Sequence, residues 1–420
     1  MVAIGNYKFS SPNWLLVATA AFELLRGFLL IAFGKILYDE SGGVFAFAFT
    51  LVGEVVFVIL LQNFAGNLVD RFGALKLLLL SVNILIVASS LTVFFGTFYI
   101  SNIVYSIILF SIILSVFKPF YRVSRFSYIS IYISTEDRES FNRRSAFVFQ
   151  LSQLTGVILA GLLLDVVSYK LVFIISIFLL MLFGFSLHNV KRNEELKKNE
   201  NMLDLYRENL FLFLLNNKVV VMCLLVAAID FALINMFNLI LAPYVDSYFD
   251  GRTIIIALID TFFALGAIVF TFFCERKKIS FKLNLGMTIS SVLSFVTFLF
   301  VLFAVQYISS FLKLPVILLA AAVFGALVTL STVAWNTFLQ GLGGVHLKGR
   351  MASLKLTAIA ILNAFILSSV MNYSVSIQST SILFFFVCCV LAIMVIPLWK
   401  ACGYSMDRLY IRDDQLMAVK

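Results

Sequence analysis

The chain has 420 residues, of which 62% are hydrophobic and 13% charged, with 46 Phe and a formal net charge of +9. A soluble domain carries about 45–50% apolar and about 25% charged residues, so neither a water-soluble globule nor a disordered chain fits, and the sequence reads as an integral membrane protein. The positive charge is set by topology and contact with anionic lipid, and nucleic-acid binding is not expected.

Apolar runs of about 20 residues, enough to cross about 30 Å of hydrocarbon, follow one another along the chain. Twelve spans are predicted, at 13–33, 43–65, 77–95, 100–120, 145–165, 170–190, 219–241, 253–274, 283–303, 315–339, 351–371 and 381–400. All are helices, because a segment alone in lipid must satisfy its own backbone hydrogen bonds. The first run begins almost at once and has no small-residue cleavage site, so it is taken as a retained helix.

Span one contains AAFELLRGF, with Glu23 and Arg26 in mid-run. Three positions apart, the two can pair. A carboxylate at mid-depth costs about 2.5–3.5 kcal/mol on insertion scales, so it is either a static ion pair or a working group. Span two carries Glu54 and leads into GNLVDRFGALK, residues 66–76, where Gly66 and Gly73 suit a close-packed turn and Asp70 can meet the amino end of the next helix and a neighbouring Arg. Span five offers Gln150 and Gln153 as hydrogen-bonding groups. Lys118, Arg122, Arg125, Arg143 and Arg144 make a basic cytoplasmic mouth, which either attracts anionic solutes or follows from positive-inside sorting. After a charged stretch at 190–210, span seven holds Asp230, Asn235 and Asn238. Span eight holds Asp260, and span ten holds Trp335 and Asn336. Each of these polar groups could contact a ligand or hydrogen-bond a neighbouring helix.

Of the 31 Lys and Arg, 26 fall on one side of this topology, four on the other, and Arg26 lies inside a span. The asymmetry places both termini in the cytoplasm. Sliding the sequence by 207 positions lays Glu23 on Asp230, Asp39 on Asp246 and Arg143 on Arg350, and one residue of slip relates Glu54 to Asp260. Such a repeat relates six helices to six helices in the same orientation.

The segment Gly66–Lys76 resembles the loop between the second and third helices of the major facilitator superfamily. Gly66, Leu68, Asp70, Arg71 and Gly73 match its pattern in place, while Ala74 and Leu75 stand where a basic pair is usual and Lys76 follows one position late. The resemblance implies a conformational latch built from these residues, with Arg143 and Arg350 as its repeat-related partners. It also implies that the first and seventh helices, with the fourth and tenth, line a central cavity onto which Glu23, Arg26 and Asp230 face. Two further segments, 141–165 and 338–356, look like paired segments of the bacterial branch that includes macrolide-efflux and enterobactin exporters. Gly156 and Gly161 keep part of the fifth-helix pattern of drug/proton antiporters, but Val157 occupies its proline position.

No GxxxxGKS/T loop, HExxH or nucleophile elbow suggests an enzyme, and no cofactor is expected. The five Cys show no ligand spacing, so neither a disulfide framework nor a metal centre is expected. The expected molecule is an all-α, twelve-helix membrane protein with halves at 1–190 and 219–420 joined by a linker at 191–218. It is expected to be a monomer in the bacterial cytoplasmic membrane, exporting a small amphipathic drug, antibiotic or siderophore in exchange for protons. One buried carboxylate among Glu23, Asp230, Glu54 and Asp260 would take up the proton, because burial disfavours a charged carboxylate. An importer or lysophospholipid flippase of the same fold is the alternative, and a non-transporting scaffold or receptor is the alternative of another class.

Overall fold

Long apolar runs give long helices even where Pro119 and Pro315 fall inside them, and α-helix is the only regular structure among the described residues. A computed structural model describes residues 11–41, 45–98, 103–164, 169–190, 253–277, 309–341 and 348–371, with single positions at Leu224, Val245 and Phe249. The helices are α1 (Ser11–Ser41), α2 (Phe45–Phe72), α3 (Ala74–Phe98), α4 (Ile103–Tyr132), α5 (Thr135–Leu163) and α6 (Tyr169–His188). They continue as α7 (Thr253–Lys277), α8 (Ser310–Gly341) and α9 (Lys348–Met371). Seven stretches among them are long and apolar enough to cross a membrane. Apart from Leu224, spans seven, nine and twelve of the sequence reading, and its linker, lie outside the described residues, as do Asp230, Asn235 and Asn238. Glu54 lies in α2, but its side chain is also outside the description.

The described residues fall into two compact units. The first holds α1–α6 together with the opening turns of α9, residues 348–353, and the second holds α7, α8 and the rest of α9. In the first unit α1 is central, packing on α5 and α6 and touching α2 and α4, while α4 packs on α2 and α3. Phe22 meets Phe117 and Tyr121 whereas Phe33 meets Phe110, so α1 and α4 run antiparallel. In the second unit α7 and α8 pack closely, with Phe263 and Phe324 rings 5.4 Å apart.

Two helix boundaries differ from the sequence reading. α4 continues to Tyr132 and α5 begins at Thr135, so only residues 133 and 134 separate them where a basic mouth was expected. Ser134 caps α5 by accepting the Asp137 N–H at 3.2 Å, and Glu136 and Asp137 place negative charge in its first turn. Lys118, Arg122 and Arg125 therefore belong to a continuous helix, and Lys118 is buried.

α1 and α5 cross at very close range. A side chain at Gly156 would run into the Leu24 carbonyl, and one at Gly27 into the Gln153 carbonyl. Backbone meets backbone there, as in small-residue contacts between membrane helices. Replacing Gly156 with Leu should push α5 off α1. Overpacking typically costs about 1–3 kcal/mol, and backbone atoms cannot yield as side chains do, so the expected result is loss of the monodisperse peak in size-exclusion chromatography. Gly161, with open space about its Cα, should accept Ala without such loss.

Candidate functional site

The charge in α1 is the starting point. Glu23 is 4% exposed and accepts a hydrogen bond from Arg26 Nη1 at 2.9 Å, an i,i+3 ion pair on one helix. The Arg26 guanidinium also lies over the Phe149 ring of α5, 5.5 Å from its centroid. A wall of rings holds this part of α1 in place: Phe22 packs on Phe117 and Tyr121 of α4 and on Phe183 of α6, with centroids 4.6–5.8 Å apart.

Position along the helices brings α4 into the same site. Glu23 stands about 18 Å from the amino end of α1 at 1.5 Å per residue, and Lys118 about 21 Å from the carboxyl end of the antiparallel α4. The two are thus level, and Lys118 interacts electrostatically with Glu23, Arg26 and Arg122. Arg122, one turn nearer the end, interacts with Arg26, Glu23 and Arg125. Arg125 donates through Nη2 to Ser145 Oγ on α5, while its buried Nε has no hydrogen-bond partner among the described residues. The cations at 118, 122 and 125 share one stripe of α4, because i, i+4 and i+7 fall on one helical face. The sequence reading named these residues as a basic mouth and did not join them to Glu23 and Arg26, although that spacing was the signal that could have done so.

Although it lies within a candidate membrane span, the Arg26 side chain is 32% exposed. An arginine left facing hydrocarbon is expensive, so contact of its open side with water is the less costly arrangement. Gln150 and Gln153 of α5 are half-buried; Gln153 offers its carbonyl to the α1 crossing.

A second constellation forms where α2 ends. Gly73, with φ +88°, turns the chain from α2 into α3. Asp70 accepts the backbone N–H of Gly349 at 2.7 Å and of Arg350 at 3.1 Å, and the Arg350 Nε at 3.0 Å. A carboxylate thus caps the amino end of α9, where free N–H groups and the helix dipole favour negative charge. Gly66 packs against Ser353 in the same contact. Burial pushes the Asp70 carboxyl up from its ordinary value, and the two amide groups and Arg350 pull it back only in part. The repeat-related Arg143 makes a different bond, donating at 2.7 Å to Glu139 on its own helix. Arg71 and Lys76 are exposed, with Arg71 over the Phe72 ring.

In the second unit, Asn336 accepts a hydrogen bond from the buried Lys355 Nζ, and the neighbouring Trp335 is 1% exposed. Asp260 is exposed on α7 and forms no ion pair with a described residue. Among the described residues no three His, Cys, Asp or Glu gather as a metal ion would need.

Comparison with known proteins agrees with this helical layout. The sequence profile described as Major Facilitator Superfamily matches residues 15–367. Among solved structures, a proton:xylose symporter bound to a brominated glucose is similar at TM-score 0.69 and 14% identity, over 93% of this chain and 96% of that one. A bacterial homologue of the iron transporter ferroportin, in an outward-facing state, gives 0.62 and 16% over 92% and 99%. The human organic anion transporter MFSD10 gives 0.62 and 13% over 92% and 97%. A search of curated proteins finds no match. At these identities the structural likeness speaks to fold alone.

Proposed function

Because this chain belongs to the major facilitator superfamily, we propose that it is a proton-coupled secondary transporter that moves a small amphipathic molecule by alternating access. The observation that carries the reading is the Glu23–Arg26 pair, buried on its acidic side and open on its basic side within a membrane-spanning helix. Ionisable groups retained at such depth mark substrate or proton pathways by default. In the proposed cycle, taking a proton onto Glu23 releases Arg26, and losing it restores the pair. Entry of a proton is worth about 2.3 kcal/mol per 100 mV of membrane potential. The contact of Asp70 with Gly349 and Arg350 serves as a latch that holds one conformation of the cycle.

The distribution of Lys and Arg supports an orientation with both termini in the cytoplasm of a bacterial cell. The efflux-like segments 141–165 and 338–356 support outward movement in exchange for protons. One observation favours the second reading, co-transport of proton and cargo: the cations on α4 crowd the same carboxylate. The structural neighbours carry a sugar, are related to an iron carrier, or carry organic anions, so the fold alone selects no cargo.

The test uses the protein reconstituted in vesicles that enclose a pH-sensitive dye, challenged with a library of antibiotics, siderophores and small organic acids. A pH change driven by solute supports coupled transport, and its sign separates exchange from co-transport. Solute movement without a pH change would overturn the coupling, and the absence of any solute movement would overturn transport itself.

A further inference from the structure

We infer that Gln62 opposes the latch: buried without a partner while Asp70 holds α9, it disfavours the latched conformation, and release relieves it. This inference rests on the latch reading and adds the residue that balances it.

Gln62 lies on α2 at 0% exposure, and neither its amide nitrogen nor its amide oxygen has a hydrogen-bond partner among the described residues. No other described side chain leaves two buried polar atoms in that condition. A serine inside a helix can turn its hydroxyl onto the carbonyl one turn back, as Ser115, Ser130 and Ser176 do. A glutamine amide has two N–H donors and an acceptor on a longer stem, so its own helix gives it no such refuge. Burying it unmet, where water is excluded, is costly.

The place of Gln62 ties that cost to the latch. Residues 62, 66 and 70 follow one another at i, i+4 and i+8 on one face of α2. The opening turns of α9 lie along this face: Asp70 accepts the Gly349 N–H at 2.7 Å, and a side chain added at Gly66 would meet Ser353. From Gly349 to Ser353, α9 thus runs back along α2 from Asp70 towards Gln62, which stands about 12 Å from Asp70 at 1.5 Å per residue. Gly66 and Gly349 meet backbone to backbone, since a side chain on Gly349 would run into the Gly66 carbonyl. So tight a contact admits no water, and it closes the face one turn from Gln62. Ser353 gives no help, because its hydroxyl is donated to the Arg350 carbonyl at 2.8 Å.

When Asp70 lets go and these turns of α9 leave, water reaches the face and completes the hydrogen bonds of the amide. The bonds at Asp70 and the unmet amide at Gln62 are therefore opposed terms on one face of one helix. A carrier needs both conformations within thermal reach, and an apolar residue at 62 would leave the Asp70 bonds unopposed.

The experiment uses the full-length protein in lipid nanodiscs, with spin labels at the carboxyl end of α2 and the amino end of α9. Gln62→Met keeps the length of the side chain and removes its amide; it should move the populations about tenfold towards the shorter, latched distance. Gln62→Glu, whose charge is costlier still to bury, should move them the other way. Adding Gln62→Met to Asp70→Ala should restore part of the latched population that Asp70→Ala loses, so the effect is legible even if the parent is almost wholly latched. An unchanged distribution in both Met variants, whatever their melting temperatures, means that Gln62 is equally buried in both conformations and overturns the inference. A shift of either Met variant to longer distance overturns it as well. Those two results leave the latch standing, because it is read from Asp70→Ala alone; no response to Asp70→Ala overturns the latch and the opposing role of Gln62 together.

Discussion

Glu23→Gln is expected to abolish accumulation of cargo against its gradient while leaving passive exchange of cargo across the same vesicles. The substitution keeps the shape of the side chain and an amide oxygen able to accept the Arg26 Nη1–H that Glu23 now receives at 2.9 Å. What it removes is the only group on α1, among the described residues of that buried stretch, that can gain and lose a proton beside Arg26. If one proton is carried per cycle, loss of coupling forfeits about 2.3 kcal/mol per 100 mV, a drop of about 50-fold in the accumulation ratio. The measurement compares labelled cargo inside energised vesicles with counterflow in unenergised ones. Accumulation persisting in the variant would move the proton site away from Glu23.

Asp70→Ala should shift the balance between latched and released conformations by about 30-fold, equivalent to about 2 kcal/mol for the hydrogen bonds lost. Ala offers no acceptor to the Gly349 and Arg350 N–H groups or to the Arg350 side chain. Spin labels at the carboxyl end of α2 and the amino end of α9 should report a longer, broader distance distribution in the variant, and an unchanged distribution would dismiss the latch. The pH dependence has a definite sign. Burial raises the Asp70 carboxyl above its ordinary value of 3.8 when the contact is made. Its contribution to the closed contact is therefore complete below that ordinary value and declines as pH rises through the raised one. Asp70→Ala should remove this dependence.

Much of the architecture was legible because lipid imposes a strict rule on sequence. Runs such as those around Leu78 and Ile107 admit no reading except a helix, and Glu23 and Arg26 stand out because their surroundings contain nothing else charged. The reading broke down at residues 118–132. Hydropathy ends where charge begins, so the span was ended at residue 120 and Arg122 and Arg125 were left outside it. Hydrogen bonding of the backbone obeys no such boundary, and α4 carries its cations onward on a single face. Trp335 and Asn336 could be named as polar candidates, but the bond from Lys355 to Asn336 joins residues on two helices and leaves no trace in local pattern. Asp70 was marked by its glycine neighbours, whereas its partners, nearly 280 positions away, required the fold.

The crossing at Gly27 and Gly156 has a mechanical consequence. With no side-chain cushion between them, α1 and α5 have little compressible material to absorb a displacement, so they should tilt as one stiff lever. A change of partner at Arg26 would then reach Ser145 and its bond to Arg125 through the lever arm, so the ion pair and the far end of α5 keep time with each other.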